Sequence, residues 1–272
     1  MSHFFSASDR AANYGDGVFT TMSVTDGKVA LYQRHCQRLV RDAKRLGLPL
    51  DEKTIARRIG EEARLLGDGV LKLLVSAGEG GRGYARPELV APTLHFTHAA
   101  MPVHYAVQQR EGIILGCATL RLAVQPALAG IKHLNRLEQV LIKRELAQQD
   151  VEDLIVLDAN EHVAEATASN VFWYSDGTWF TPALERCGVH GVMREFLIDW
   201  LLRNDQELRV GDFRLSDLIQ AESALVCNAL MPIIPLRAFT RDGQHISYSK
   251  SRVESLFYAV QSAYKDEYAP AS

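Results

Sequence analysis

Three of the five Asp-Gly pairs constrain this chain most, because such pairs favour tight turns between neighbouring β-strands. They are Asp26-Gly27, Asp176-Gly177 and Asp242-Gly243, and β-branched and aromatic residues flank the first two. Apolar residues also recur at three- and four-residue spacing, which predicts amphipathic helices from Gln33 to Leu46 and from Glu52 to Leu66. The chain therefore combines hairpins with helices, and we predict an α+β fold.

The remaining elements are predicted from the same two periodicities. Further strands are expected at 18–24, 28–32, 70–75, 93–97, 113–117, 154–157, 162–166, 171–174, 178–180 and 224–227, and further helices at 135–148, 192–203 and 249–265. The pattern ends between Pro92 and Pro102, and residues 103–110 are polar enough for a connection between domains. We therefore predict a small N-terminal α+β domain over 1–104 and a larger C-terminal domain over 105–272.

Charge and hydropathy exclude several classes of protein. The 272 residues include 30 Lys and Arg against 33 Asp and Glu, a net charge of −3 that offers no basic field for nucleic acid or an anionic membrane. The N-terminal MSHFFSASDRAANYG has no basic segment before an apolar run, and no stretch reaches about 18 uninterrupted apolar residues. The four cysteines form no CxxC pair, which is typical of reduced thiols. We expect a cytoplasmic protein that binds neither nucleic acid nor membrane.

Common site motifs are incomplete in this sequence. Gly78, Gly80 and Gly83 match GxGxxG after a predicted strand, but a dinucleotide site also needs a helix that begins within the motif, and YARP comes next instead. Two interpretations of this segment stay open: a flexible loop with no ligand, or a loop that lets Arg82 and Tyr84 approach a ligand. The nine histidines form no HExxH pair and GxSxG is absent, so we expect no metal site and no serine nucleophile.

Lysine is the most interesting candidate nucleophile, because an amine of lowered pKa can form a Schiff base with a carbonyl. Lys132 follows a loop-like Ala-Gly pair and precedes a helix that Asn135 can cap, so its side chain can point into an interior. Glu165 lies among small and apolar residues, where a carboxylate is costly unless it is paired. A protonated pyridine nitrogen would be a suitable partner for that carboxylate.

A phosphate site is predicted at the helix that begins at Val192. Gly188 and Gly191 precede this helix, so the backbone N–H groups of Val192 and Met193 could receive a phosphate. Arg38 on the first amphipathic helix could add bidentate charge. Each signal alone also fits a structural role, since glycine before a helix is common and helix arginines are usually solvated.

Together these segments resemble the fold-type IV pyridoxal-phosphate enzymes. The resemblance rests on NYGDGVFTT at 13–21, HxxRL at 35–39, KHLNRLEQVL at 132–141, AEATASNVFW at 164–173 and GVHGVMR at 188–194. Within the family, AGIKHLNRLEQVLI, the GGRGY loop and CNALMP are most similar to the lyase branch. The resemblance implies a homodimer of two-domain chains, each with a small α/β sandwich domain and a larger domain with a barrel-like β core.

The same resemblance implies residue roles and a cofactor, pyridoxal 5'-phosphate. The residues it assigns to the cofactor are Lys132, Glu165, Arg38, Val192, Met193, Asn228 and Ala229, and those it assigns to the substrate are Arg82, Tyr84, Phe19 and Thr21. Asn228 and Ala229 stand where aminotransferases of this fold often have Ser or Thr phosphate donors. Lys132 would hold the cofactor covalently, and Glu165 would bind its ring nitrogen.

The activity implied is conversion of a small molecule, 4-amino-4-deoxychorismate, into 4-aminobenzoate and pyruvate. A branched-chain or D-amino-acid aminotransferase on the same scaffold is the nearest alternative, because cofactor-binding residues do not decide the fate of the substrate after proton abstraction. A cofactor-free binding or assembly protein that keeps the fold is an alternative from another class.

Overall fold

The computed structural model describes residues 6–269, which form two compact units. The first unit holds the described residues through Met101, the segment Ile131–Arg136 and the described residues from Tyr264 onward. The second holds Pro102–Gly130 and Leu137–Ala263. The first five residues of the N-terminal segment MSHFFSASDRAANYG lie outside the described part. The segment 131–136 carries Lys132 into the first unit, and a division of the chain at 104/105 stays a prediction.

The first unit is a four-stranded antiparallel sheet in the order β2-β1-β3-β4, packed against two helices. Its elements are α1 (Arg10–Tyr14), β1 (Gly17–Thr25), β2 (Lys28–Val29), α2 (Tyr32–Arg45), α3 (Glu52–Leu66), β3 (Gly69–Ser76) and β4 (Thr93–Ala99). Alternate residues of β1, such as Val18 and Met22, are buried against Leu39 of α2 and Ile55 of α3. This two-layer packing confirms the predicted α/β sandwich.

The first hairpin turns where the sequence predicts it. Asp26 and Gly27 have φ angles of 50° and 70°, and β1 pairs antiparallel with β2 on either side. The second strand of the hairpin is shorter than the predicted 28–32, because Leu31 adopts a left-handed φ of 54° and α2 begins at Tyr32. The strand prediction for its last residues is therefore wrong.

The second unit is built on a nine-stranded sheet in the order β10-β9-β8-β11-β12-β5-β6-β7, with β13 paired to β12. Its elements are α4 (His104–Glu111), β5 (Ile113–Cys117), α5 (Leu137–Leu146), β6 (Asp153–Leu157), β7 (Val163–Ala166), β8 (Asn170–Ser175), β9 (Thr178–Pro182), α6 (Val192–Arg203), β10 (Leu208–Gly211), α7 (Leu215–Ile219), β11 (Ser223–Cys227), β12 (Ile234–Arg241), β13 (Gln244–Ser247) and α8 (Ser251–Asp266). The last residues of α8, from Tyr264 onward, belong to the first unit.

This sheet curls into a half-barrel. Strands β7 and β8 are separated by four strands in the sheet order, yet only a short turn joins them, closed by Ala166 N–H donating to the Ser169 carbonyl at 2.8 Å. The sheet must bend round for the two strands to meet. Buried side chains from six of its strands fill the interior, among them Trp173, Val226 and Phe239. The predicted barrel-like core is confirmed.

Several local predictions for the second unit are wrong. Residues 103–110, predicted as a connection, form α4, which has no buried residue and therefore no apolar stripe that would reveal it. The helix predicted from residue 135 begins at Leu137, because the Asn135 amide donates to the Gly15 carbonyl at 3.0 Å instead of capping the helix. The elements α1, α7, β10, β12 and β13 were not predicted. Among the described residues, no helix has the length and apolar character needed to cross a membrane.

Gly17 is expected to tolerate no side chain, because an added Cβ would collide with the Val75 carbonyl and the Leu134 side chain. We expect Gly17→Ala to lower the free energy of unfolding by roughly 2–3 kcal/mol, the upper part of the usual cost of overpacking, because the carbonyl it meets belongs to the backbone. Gly243→Ala is the control: it lies at an open turn with a φ of 76°, and its cost of about 1 kcal/mol comes from backbone strain alone. Chemical denaturation measures both, and equal costs would contradict the steric account.

Candidate active site

The segment that carries Lys132 is held beside β1 by an isolated antiparallel bridge between Val18 and His133. Phe19 N–H donates to the Lys132 carbonyl at 2.9 Å, and Leu134 N–H donates to the Gly17 carbonyl at 3.0 Å. Arg136 folds back and donates to the carbonyls of Ile131 and His133. These bonds leave the backbone around Lys132 little freedom.

Asp42 of α2 fixes the same segment from a second direction. Its Oδ2 accepts the backbone N–H of Lys132 at 3.0 Å, and its side chain is almost wholly buried. Burial raises the pKa of Asp42, and the Lys132 N–H, Arg38 and Arg41 offset that rise only in part. The residue was not predicted from the sequence, although it shares a face of α2 with Arg38.

The side chain of Lys132 is half-buried and lies over an aromatic ring. Its Nζ is 4.4 Å from the centre of the Phe19 ring, and Thr21 follows on the same face of β1. Burial lowers the pKa of His133 to about 4, and the charges of Arg136 and Lys132 contribute to this shift. The imidazole beside Lys132 is therefore uncharged at neutral pH.

Arg38 points into the interface between α2 and β1. Its Nη2 donates to Oγ1 of Thr20 at 2.6 Å, and the residue is 4% exposed. The same hydroxyl lies 2.6 Å from Nδ1 of His35, which is fully buried. The structure thus brings Arg38 and Lys132 into one unit, since Asp42 on the same helix binds the Lys132 backbone.

The glycine-rich loop is a loop, as predicted, and no helix begins within it. Its backbone is anchored by Arg10, which is almost wholly buried and donates to the carbonyls of Gly80, Tyr84 and Ala85 at 3.3, 2.9 and 2.9 Å. Arg82 and the Tyr84 ring are exposed. The two predicted substrate residues therefore project from a fixed backbone.

Asp16 completes this anchor. It accepts hydrogen bonds from Arg10 at 2.8 Å and from Arg86 at 2.9 Å, so one carboxylate joins two arginines. Burial raises the pKa of Asp16, but the Arg86 and Arg10 guanidiniums outweigh this and hold the pKa below its ordinary value of 3.8.

Glu165 lies on β7 in the second unit and is 6% exposed. Its Oε2 accepts the backbone N–H of Val189 at 2.9 Å. Gly188 precedes that residue with a φ of 76°, and a Cβ there would come within 3.2 Å of the carboxylate. Glycine is needed at this position, and the turn before α6 is thereby placed against Glu165.

The first turn of α6 presents backbone donors. Gly191 is the residue before the helix and provides no side-chain cap to the N–H groups that follow, including those of Val192 and Met193. The Asn170 amide donates to the Val189 carbonyl at 2.9 Å and its oxygen would collide with a Cβ at Gly191. Next to it, the buried Ser169 hydroxyl has no hydrogen-bond partner within the described residues. An uncapped helix start beside a buried unpaired hydroxyl fits an anion.

The side chain of Asn228 makes most of its hydrogen bonds within its own turn. Its Oδ1 accepts the N–H groups of Leu230 and Met231 at 2.8 Å each, and its amide donates to the Ala168 carbonyl at 3.1 Å. The side chain therefore shapes the turn in which Ala229 lies. The Ala229 N–H takes part in no hydrogen bond within the part of the chain that the structure describes.

The predicted residues fall into two groups, one in each unit. Lys132, Arg38, Phe19, Thr21, Arg82 and Tyr84 belong to the first unit, and Glu165, Val192, Met193, Asn228 and Ala229 belong to the second. Sequence reasoning missed Thr20, His35 and Asp42. The last two lie three positions before and four after Arg38, a helical spacing that could have indicated a shared face.

Comparison with known proteins places these features in a family context. The sequence model of the amino-transferase class IV family matches residues 17–239. An aminodeoxychorismate lyase of Vibrio harveyi is 34% identical over 241 residues, which cover 88% of this chain and 89% of that protein. The crystal structure of 4-amino-4-deoxychorismate lyase from Pseudomonas aeruginosa is similar at a TM-score of 0.91, with 35% identity and 96% of each chain covered. A hypothetical aminotransferase from Mycobacterium tuberculosis in its PLP-bound form shares the fold, with a TM-score of 0.81 and 22% identity over 96% of this chain and 94% of that one.

The Asp16 anchor is expected to contribute stability that depends on pH. Because its pKa is lowered in the folded chain, its contribution is present above the unfolded pKa near 3.8 and is lost as pH falls through the folded value. Asp16→Asn should lower the free energy of unfolding by about 2 kcal/mol at pH 7 and by less at pH 3. Glu88→Gln, at an exposed position, is the control. A loss in Asp16→Asn that is the same at both pH values would refute the ion-pair account.

Proposed function

This chain belongs to the class IV aminotransferase family, and on that premise we propose that it is a pyridoxal-phosphate-dependent lyase that converts 4-amino-4-deoxychorismate into 4-aminobenzoate and pyruvate. The observation that carries the proposal is the likeness to two lyases of that substrate, at 34% and 35% identity over most of each chain. The fixed lysine, the buried carboxylate and the uncapped helix start support it from the structure.

The residues present fit three polar groups of this cofactor: the aldehyde, the ring nitrogen and the phosphate. Lys132 would bind the aldehyde through Nζ, and the buried Glu165 carboxylate would keep the ring nitrogen protonated. Arg38 and the backbone N–H groups of Val192 and Met193 would bind the phosphate, with Asn228 and Ala229 as further proposed contacts. When bound, pyridoxal phosphate supplies an electron sink for a carbanion.

Lys132 is the residue that we propose moves protons. A neutral Nζ would take the proton from the substrate carbon that bears the amine, as a general base. It would then deliver a proton to the departing enolpyruvyl group, so that pyruvate leaves. The remaining ring becomes aromatic, which supplies the driving force, and no second amino acid is required. The backbone bonds to Asp42 and β1 keep Lys132 in register for both transfers.

The anchored loop would bind the substrate. 4-Amino-4-deoxychorismate bears two carboxylates, and the exposed guanidinium of Arg82 can bind one of them with two parallel hydrogen bonds. Tyr84 can donate a hydrogen bond from the same loop. Phe19 would pack against the substrate ring, and Thr21 can donate from the same strand face.

The lyase proposal predicts products without an acceptor. Purified holoprotein incubated with 4-amino-4-deoxychorismate should release 4-aminobenzoate and pyruvate in equal amounts, measured by chromatography, with no 2-oxo acid added. Lys132→Ala should abolish turnover, whereas Lys143→Ala, an exposed lysine in the following helix, should keep it.

Two outcomes would count against this proposal. Turnover that requires a 2-oxo acid and yields no pyruvate would assign the chain to an aminotransferase activity. Lyase activity that survives in Lys132→Ala would remove Lys132 from the reaction.

We further propose that the enzyme is a homodimer that uses an apolar patch on the second unit. Ala123 N–H donates to Oε1 of Glu138 at 2.9 Å, which holds the loop before residue 130 against the first turn of α5. The exposed apolar residues there, called the α5 patch, are Val124, Leu128, Leu137, Val140 and Leu141. Three of them share one helix face, and Leu137 is 77% exposed. Exposed apolar patches of this kind mark association surfaces.

The homodimer proposal is tested at Leu137. In a two-fold interface both copies contribute the same residues, so Leu137→Glu places two charges in the interface. This substitution should convert a dimer into monomers at micromolar concentration. Leu65→Glu is the control, because Leu65 is 78% exposed on α3. Analytical ultracentrifugation measures the mass of each. A wild-type monomer would refute the dimer, and an unchanged dimer in Leu137→Glu would refute the patch.

We also propose a cytoplasmic location. The four cysteines are free thiols, and Cys36 and Cys227 are buried, which suits a reducing compartment. That the enzyme binds neither nucleic acid nor membrane stays a prediction from its charge and hydropathy.

A further inference from the structure

We propose that Thr20 and His35 are positioning residues that fix the guanidinium of Arg38. The inference rests on the proposed function, in which Arg38 binds the cofactor phosphate. It concerns two side chains to which neither the motifs nor the proposed chemistry gives a role. Neither of them would touch the cofactor, and they would act through Arg38 alone.

Three side chains form a short chain of hydrogen bonds between β1 and α2. Nη2 of Arg38 and Nδ1 of His35 each lie 2.6 Å from Oγ1 of Thr20. Thr20 and His35 are fully buried, and Arg38 is 4% exposed. Hydrogen bonds of this length, made away from water, hold their partners in one arrangement.

The direction of these bonds follows from the chemistry of the groups. A guanidinium only donates, so Thr20 accepts from Arg38 and has one proton of its own to give. Nδ1 of His35 is the other group within reach, and it accepts that proton if the ring is neutral with its hydrogen on Nε2. Burial lowers the pKa of His35 well below its ordinary value, and the charges of Arg38 and Lys132 contribute to this shift. The ring is therefore neutral, and we assign its hydrogen to Nε2 because the Thr20 hydroxyl, which accepts from Arg38, then has Nδ1 as the acceptor for its own proton.

His35 in this form determines how Thr20 can act. Because the hydroxyl proton is committed to Nδ1, the lone pairs of Oγ1 face the guanidinium. A hydroxyl with no such acceptor could rotate and direct its proton at Arg38, which would repel it. His35 thus orients Thr20, and Thr20 orients Arg38.

The apolar surroundings of Thr20 and His35 argue against a purely structural role for these two polar side chains. Thr20 lies on the buried face of β1 between Val18 and Met22, which belong to the apolar core of the first unit. Nε2 of His35 has no hydrogen-bond partner in the described part of the chain, so the ring is buried with one polar atom unsatisfied. Such atoms cost stability, and apolar replacements of the same shape can be neutral. The polar pair is therefore expected to serve Arg38 rather than the fold.

The test compares pyridoxal phosphate with pyridoxal, which lacks the phosphate. Dissociation constants of both are measured on the full chain from the absorbance of the bound aldehyde. Thr20→Val and His35→Leu should each raise the dissociation constant of pyridoxal phosphate roughly tenfold, which is the scale of one hydrogen bond to a charged group. Neither variant should change the dissociation constant of pyridoxal. Thr20→Ser keeps the hydroxyl and His35→Asn keeps an acceptor near Nδ1, so both should remain within about threefold of wild type.

Arg38→Met separates failure of this inference from failure of the proposed function. If Arg38→Met still prefers pyridoxal phosphate over pyridoxal as wild type does, the proposed phosphate role of Arg38 is wrong. If Arg38→Met loses that preference while Thr20→Val and His35→Leu keep it, the positioning role is overturned. Melting temperatures identify a variant that does not fold. If either Thr20→Val or His35→Leu fails to fold, the dissociation constants of the other variant test the positioning role.

Discussion

The hydrogen bond from the Lys132 backbone to Asp42 is the interaction on which the arrangement of the candidate residues in the first unit depends. It joins a helix to a segment 90 residues later in the chain, and β1 binds the same segment from another side. A buried carboxylate is costly unless hydrogen bonds compensate it, and here a backbone donor provides part of that compensation. The lysine that we propose to be reactive therefore lies on a backbone that two independent elements hold, which suits repeated proton transfer at one atom.

Residues that hold a cofactor do not by themselves select a reaction. A lysine, a carboxylate for the ring nitrogen and a phosphate site are equally compatible with lyase and aminotransferase chemistry. Selection depends on how the substrate is oriented, which gives weight to the loop that bears Arg82 and Tyr84. Arg10 fixes the backbone of that loop through three carbonyls, whereas the two side chains themselves are exposed. A loop whose backbone is anchored by hydrogen bonds and whose side chains are exposed suits a substrate that carries two carboxylates.

The sequence predicts the limits of a helix or strand well where neighbouring residues in the chain determine where it begins and ends. Helix α3 has the predicted limits, because Asp51 caps its start by accepting from Thr54 N–H and Gly67 ends it with a φ of 74°. Helix α6 likewise begins after Gly191. Predictions fail where a distant partner decides. Asn135 pairs with Gly15 instead of capping α5, and β10 exists as a strand because it pairs with β9.

The same distinction explains which candidate site residues the sequence could indicate. Lys132 and Glu165 stand out in short motifs, whereas Thr20, His35 and Asp42 acquire their importance only from partners on other elements. On α2 the polar positions 35, 38 and 42 run beside the apolar positions 36, 39 and 43, so two stripes lie next to each other. The apolar stripe predicts the helix and its buried face. The polar stripe is buried as well, and buried polar side chains require hydrogen-bond partners. Here β1 and the Lys132 backbone provide those partners, and the periodicity of α2 cannot predict either of them.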